Sequence, residues 1–128
     1  MNFNDQQILK VWNKAMTVDG YDPAKYRKDA CGAWIVWDKY GVQDNIYAWQ
    51  IDHIVPQSLL EEKGVNQTLI DDIENLRPLQ YQNNASKGDD YPSYTAAVTS
   101  DGNKNINLEK NLVVNEQIRK ILSQKFGI

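Results

Sequence analysis

The sequence contains one cysteine and one histidine, and it has no long apolar run. A single thiol, Cys31, cannot form an internal disulfide and cannot supply a cysteine-rich zinc site. No apolar stretch reaches the roughly 18 residues of a membrane span, so no transmembrane helix is predicted. Residues 1–5 show no basic segment followed by an apolar one, so no secretory signal is predicted. We expect a cytoplasmic protein without a membrane anchor.

Positive charge is also scarce for a protein that contacts nucleic acid. The chain has 14 basic and 17 acidic residues, a formal net charge of −3. This weighs against nucleic-acid binding, because phosphate contacts usually come with a basic surface. The charges are uneven, however: Lys25, Arg27 and Lys28 cluster, and basic residues outnumber acidic ones after residue 103. A local positive face is therefore compatible with the total, and simple solvation of the surface is the alternative for each cluster.

Apolar periodicity predicts a helix near each end of the chain. Residues 5–16 show helical spacing, and Asn4 is suited to cap their N-terminus. Asn115 is suited to cap a last helix in the same way. The residues of that last helix predicted to face inward are Ile118, Ile121, Leu122 and Phe126.

The middle of the chain predicts strands and short helices. Runs of aromatic and β-branched residues at 33–37 and 46–51 predict two strands of one hairpin, which would end at Asp52 and His53. A short helix is predicted around residues 69–73, with Asn66 as its cap. Another is predicted at 81–87, ended by Gly88, and a short strand is predicted at 112–114. No linker is evident, so we expect a single domain over residues 1–128.

Asp52, His53 and Asn84 are side chains that could support hydrolysis of a phosphodiester. Histidine is the side chain best suited to take a proton from water near neutral pH. A divalent cation would act as a Lewis acid, and carboxylate and amide oxygens would hold it. Adjacent residues of a regular strand point to opposite faces, so a bend would be needed to bring Asp52 and His53 into one site. A hydrogen-bonded structural histidine is the alternative.

The motif that carries these residues resembles the HNH branch of the ββα-metal nucleases. The string Asp-His-Ile-Val-Pro-Gln-Ser at residues 52–58 and the nine-residue step from Asn75 to Asn84 also resemble the HNH domain of the RNA-guided Cas9 nucleases. Residues 26–35 resemble the lead-in of small stand-alone bacterial and phage HNH proteins. The resemblance implies an α+β fold, with a hairpin and a short helix as the HNH core at about residues 33–90. Helices at both ends would flank that core.

The resemblance also implies a role for each motif residue. His53 would be the general base, and Asp52 and Asn84 would bind the metal, with Asn83 as the alternative to Asn84. Asn75 would hold the loop and orient the segment that contains His53. The remaining candidates, which would contact substrate phosphate, are Lys87, Arg27 and Lys28.

Two departures from the family pattern bear on the metal. The third motif position is Asn84 rather than histidine, so the site is richer in oxygen and favours Mg²⁺ or Mn²⁺ over Zn²⁺ or Ni²⁺. The paired Cys-x-x-Cys motifs of many relatives are missing, so no structural zinc is expected.

The function implied is a metal-dependent endonuclease that hydrolyses DNA. Sequence specificity would come from a homodimer or a partner protein, because no separate DNA-reading module is evident. A non-catalytic module that binds nucleic acid or protein is the main alternative, and a cysteine hydrolase built on Cys31 and His53 is a weaker one. Residues 93–128 have no assigned role.

Overall fold

The computed structural model describes residues 3–128 and has the α+β fold that was predicted. The helices are α1 (Asp5–Trp12), α2 (Gln57–Glu62), α3 (Gln67–Ile70), α4 (Tyr81–Lys87) and α5 (Glu116–Phe126). The strands are β1 (Tyr26–Lys28), β2 (Trp34–Val36), β3 (Trp49–His53), β4 (Leu76–Gln80), β5 (Ser93–Asp101) and β6 (Lys104–Val113). They pair as three antiparallel units, β1 with β2, β3 with β4 and β5 with β6. No helix within residues 3–128 has the length and apolar character needed to cross a membrane.

The predicted helix caps are confirmed. The side chains of Asn4, Asn66 and Asn115 each accept a hydrogen bond from the backbone N–H three residues ahead, at the starts of α1, α3 and α5. These bonds satisfy N–H groups that have no partner within the helix. Helix α4 ends before Gly88, whose φ of +51° lies in the region that favours glycine. Such local signals mark where α1, α3 and α5 begin and where α4 ends.

The predicted strands are present, but the predicted hairpin between them is wrong. β2 pairs with β1, with Tyr26 opposite Val36, and β3 pairs with β4, with His53 opposite Leu76. Twelve residues separate β2 from β3, whereas five separate β1 from β2. The shorter connection favours the observed pairing of β1 with β2, because closing a short loop costs less conformational entropy. β4 reaches β3 only after α2 and α3 intervene, which no local pattern reveals.

Two other predictions need correction. Helix α1 ends at Trp12 rather than at residue 16, and Met16 instead bridges to Lys28. The strand predicted at 112–114 is the end of the long ribbon β5–β6, whose strands join at Gly102, with φ +63°. The buried residues of this ribbon are alternate residues of β5, Tyr94, Ala96 and Val98, whereas β6 has no buried residue, so the apolar signal of β6 is weak.

Two buried clusters hold these elements together. One lies beneath α1 and centres on Trp12 and Trp49, whose ring centroids are 5.4 Å apart. The other lies between the β3–β4 unit, the β5–β6 ribbon and α5, and includes Leu79 and Leu122. The inward-facing prediction is confirmed for Leu122 but is wrong for Ile121, which is 44% exposed. Helix α4 packs on β5 and also contacts β3 and β4.

Candidate active site

The motif residues lie on β3, β4 and α4. His53 is the last residue of β3, Asn75 directly precedes β4, and α4 follows β4 without a gap. The backbone N–H of Tyr81, at the start of α4, donates to the carbonyl of Ala48 just before β3. The Lys87 ammonium at the other end of α4 donates to the His53 carbonyl at 3.2 Å. Both ends of the helix are therefore tied to β3.

Asn75 is fully buried and joins the segment after His53 to the segment before β4. Its Oδ1 accepts from the backbone N–H of Val55 at 2.8 Å. Its Nδ2 donates to the carbonyls of Val55 and Ile70, at 3.2 and 3.0 Å. The backbone N–H of Ile54 donates to the Asn75 carbonyl at 2.8 Å. These bonds restrain the backbone immediately after His53.

The imidazole of His53 forms a dyad with Asp71. Nε2 lies 2.7 Å from Oδ1 of Asp71, and the two side chains are 16% and 20% exposed. Both groups are therefore sheltered but still reach solvent. No sequence pattern identified Asp71 as a partner of His53, because it lies 18 residues away at the C-terminal end of α3.

The carboxylate of Asp52 is buried between two cations. Its Oδ2 accepts from Nε of Arg77 at 3.0 Å, and its Oδ1 lies 3.2 Å from Nζ of Lys87. Burial lowers the pKa of Lys87, and the Asp52 carboxylate opposes that shift. For Arg77, burial is the largest single influence and acts to lower the pKa. The attraction and hydrogen bond of Asp52, together with the attraction of Tyr94 and Cys31, outweigh burial, so the net shift is upward. We call Asp52, Arg77 and Lys87 the charge cluster.

His53 and the Asp52 carboxylate face opposite sides of the β3–β4 pair. The antiparallel register continues without interruption through Asp52 opposite Arg77 and His53 opposite Leu76. Successive side chains of such a strand alternate between its faces. The bend that would bring both side chains to one point is not present.

Asn84 and Asn83 differ sharply in their surroundings. The Asn84 side chain is partly exposed, and its Nδ2 donates to Oε1 of Gln50 at 2.7 Å. The buried Asn83 is fully used: its Oδ1 accepts from the N–H groups of Ala97 and Val98, and its Nδ2 donates to Asp29 and to the Val98 carbonyl. Of the two amides, Asn84 is the one that a ligand could reach.

A divalent metal does not fit the Asp52 carboxylate as the side chains stand, since each of its oxygens already faces a cation. Nor does any cluster of three or more His, Cys, Asp or Glu side chains suited to a metal occur within residues 3–128. The assignment of Asp52 and Asn84 as ligands stays a prediction. It would require Asp52 to release Arg77 or Lys87.

The three candidate phosphate-binding cations are all engaged within the chain. The Lys87 side chain is completely buried in the charge cluster. Arg27 donates from Nε to the Pro23 carbonyl at 2.8 Å and from Nη1 to the carbonyls of Asn13 and Ala15. The ammonium of Lys28 lies 4.8 Å from the centre of the Trp34 ring. Phosphate contact by these residues stays a prediction.

Cys31 should be unreactive in the folded protein. The thiol is buried, and burial, together with the neighbouring Asp29, raises its pKa from 9.0 to about 12. At pH 8 we expect almost no reaction with a disulfide reagent until denaturant is added, because the thiolate is the reactive form. Since the folded pKa is the higher one, this thiol contributes stability that is lost as the pH rises from 9.0 through about 12. Rapid labelling of native protein at pH 8 would contradict this and would revive the cysteine-hydrolase alternative.

One known protein family matches the part of the chain that carries the elements just described. The family model for the C-terminal domain of GmrSD restriction endonucleases matches residues 11–125, which include β3, β4 and α4. No curated protein and no solved structure gives a significant match. The chain belongs to the family of GmrSD restriction endonuclease C-terminal domains, a nuclease family related to restriction endonucleases.

Proposed function

We propose that the chain is an endonuclease of the HNH type that hydrolyses phosphodiester bonds in DNA with His53 as the general base. The observation that carries this proposal is the His53–Asp71 dyad at the end of β3, 2.7 Å between Nε2 and Oδ1. A histidine held by a carboxylate and still partly exposed is the arrangement that proton abstraction from water requires. Membership of a restriction endonuclease family supports DNA as the substrate.

The dyad determines which nitrogen of His53 would act. An ionised carboxylate only accepts hydrogen bonds, so Asp71 favours the tautomer that carries its proton on Nε2. Nδ1 is then the free base that takes a proton from the attacking water. The water oxygen forms the new bond to phosphorus and the bond from phosphorus to the 3′ oxygen breaks. The departing 3′ oxygen takes a proton from solvent, so the products carry a 5′-phosphate and a 3′-hydroxyl. Asp71 stabilises the imidazolium that results, and Asn75 restrains the backbone that follows it.

Mg²⁺ or Mn²⁺, with Asp52 and Asn84 as ligands, is a separate part of the proposal. A bound metal would polarise the phosphate and assist the departing oxygen. Because the Asp52 carboxylate is paired with Arg77 and Lys87 as the side chains stand, the steps above are assigned to His53, Asp71 and Asn75 alone.

Cleavage of supercoiled plasmid tests the proposal. Purified protein is incubated with plasmid in EDTA, Mg²⁺, Mn²⁺ or Zn²⁺, and we expect nicking or linearisation with Mg²⁺ or Mn²⁺. The matched control is Lys120→Gln, which removes an exposed charge on α5 and should cleave as fast as the wild type. Equal cleavage in EDTA would overturn the metal part and leave the nuclease part standing.

The alternative is a non-catalytic module that binds nucleic acid or protein. The Asp52 carboxylate favours this alternative, because it already faces two cations and is not free to hold a catalytic metal. DNA binding by folded protein with no cleavage in any metal would support it against the endonuclease.

A further inference from the structure

The charge cluster leaves positive charge uncompensated inside the protein. One carboxylate, Asp52, faces two cations, Arg77 and Lys87. The side chain of Arg77 is only 8% exposed. Its Nη2 is buried and has no hydrogen-bond partner in the part of the chain that the structure describes. An unsatisfied donor of this kind is costly, which calls for an explanation.

A cavity of about 330 Å³ is lined in part by Arg77. Lys14 and Ile54 also line it, together with Tyr94 from β5 and Ile118 from α5. The Lys14 ammonium donates to the carbonyls of Ile73 and Leu76, so it is held at this edge of β4. Burial, and next the positive charge of Arg77, lower the pKa of Lys14. We call this space the Arg77 cavity.

The one acidic side chain on the wall of the Arg77 cavity is already satisfied. Oδ1 of Asp29 accepts from the N–H groups of Cys31 and Ala33. Its Oδ2 accepts from the N–H of Gln80 and from Nδ2 of Asn83. With four donors around it, Asp29 is not the missing partner of Arg77. The other cation of the wall, Lys28, is turned onto the Trp34 ring.

We propose that the Arg77 cavity binds a phosphate-class oxyanion at the guanidinium of Arg77. The planar guanidinium matches the geometry of phosphate oxygens, and Lys14 adds a second positive charge at the same wall. The bound oxyanion balances the excess positive charge of the cluster. The phosphate belongs either to DNA or to a free nucleotide, since both present the same oxygens.

This site is distinct from the dyad proposed for hydrolysis. Arg77 lies directly opposite Asp52 in the β3–β4 register, so both side chains are on the face opposite His53. The oxyanion in the Arg77 cavity is therefore not the phosphate at which His53 would activate the attacking water. Binding here holds whether or not the chain cleaves DNA.

A titration of wild-type protein with inorganic phosphate tests the proposal without any cleavage assay. We expect saturable NMR shifts for the side-chain Nε–H of Arg77 and for the backbone amides of Lys14 and Tyr94. Sodium chloride at the same ionic strength should not reproduce them. A 5′-mononucleotide and a short oligonucleotide, with and without a 5′-phosphate, then distinguish free nucleotide from DNA. Shifts that chloride reproduces, or that fail to saturate, would overturn the proposal.

Variants locate the oxyanion within the cavity. Arg77→Lys keeps a charge opposite Asp52 but loses the planar fork, and should weaken phosphate binding by at least about tenfold. Lys14→Gln should weaken it about two- to fivefold, and Lys120→Gln should leave it unchanged. If Arg77→Lys fails to fold, the wild-type titration and Lys14→Gln decide the matter. Unchanged affinity in a folded Arg77→Lys protein would refute the site.

Discussion

Replacing His53 with alanine should lower the rate of DNA cleavage by about 10²- to 10⁴-fold, the range expected for losing a general base. The loss should fall on the chemical step, because the side chain would act on the attacking water rather than on a distant part of the DNA. The fold should survive the change, since the imidazole is partly exposed and its hydrogen bond goes to an equally accessible Asp71. The measurement is a single-turnover time course of plasmid nicking in Mg²⁺, together with a thermal melt of each protein.

Asp71→Asn is the informative companion to His53→Ala. An amide can present either a donor or an acceptor to Nε2, so the tautomer of His53 is no longer enforced. We expect a slower rate than wild type, with a loss no larger than that of His53→Ala. Wild-type cleavage by a folded His53→Ala protein would refute His53 as the base. Wild-type cleavage by Asp71→Asn alone would remove Asp71 from the mechanism and leave His53 in place.

The parts of the fold that the sequence could predict depend on neighbours along the chain. The side chains of Asn4, Asn66 and Asn115 cap helices by accepting hydrogen bonds from backbone N–H groups three residues later. The capping residue and its partner therefore lie within one short stretch of sequence. Strand pairing depends on residues far apart in the sequence. The run at 33–37 and the run at 46–51 both form strands, yet their partners are β1 and β4. The alternation of apolar and polar residues and the types of residue locate a strand, but they do not identify the strand with which it pairs.

The same limit applies to the candidate site. The motif residues predicted from their spacing do lie on neighbouring elements, since Asp52 and His53 are on β3, Asn75 directly precedes β4 and Asn84 is on α4. The hydrogen bond between His53 and Asp71 depends on how α3 packs at the end of β3. No local sequence pattern predicts that packing. The pairing of Asp52 with Arg77 follows from a strand register that was not predicted.

Replacing Asp52 with asparagine should destabilise the folded protein by about 3–5 kcal/mol, which is the cost of breaking a buried ion pair from one side. The change keeps the shape of the side chain and removes its charge, so Arg77 and Lys87 would remain buried without a counter-ion. Lys87→Met should cost less, because Asp52 keeps Arg77. In the double variant part of the loss should be recovered, since one of the two unpaired cations is gone.

Urea unfolding followed by tryptophan fluorescence, in EDTA, measures these differences in the free energy of unfolding. Trp12 and Trp49 are buried in the cluster beneath α1, so their emission reports loss of the fold. Lys120→Gln is again the matched control, because an exposed pair with Glu116 contributes little. If Asp52→Asn is as stable as the wild type in EDTA, the ion pairs with Arg77 and Lys87 do not hold in solution. The Asp52 carboxylate would then be free for the divalent metal. The oxyanion proposed for the Arg77 cavity would lose the excess positive charge that it is proposed to balance.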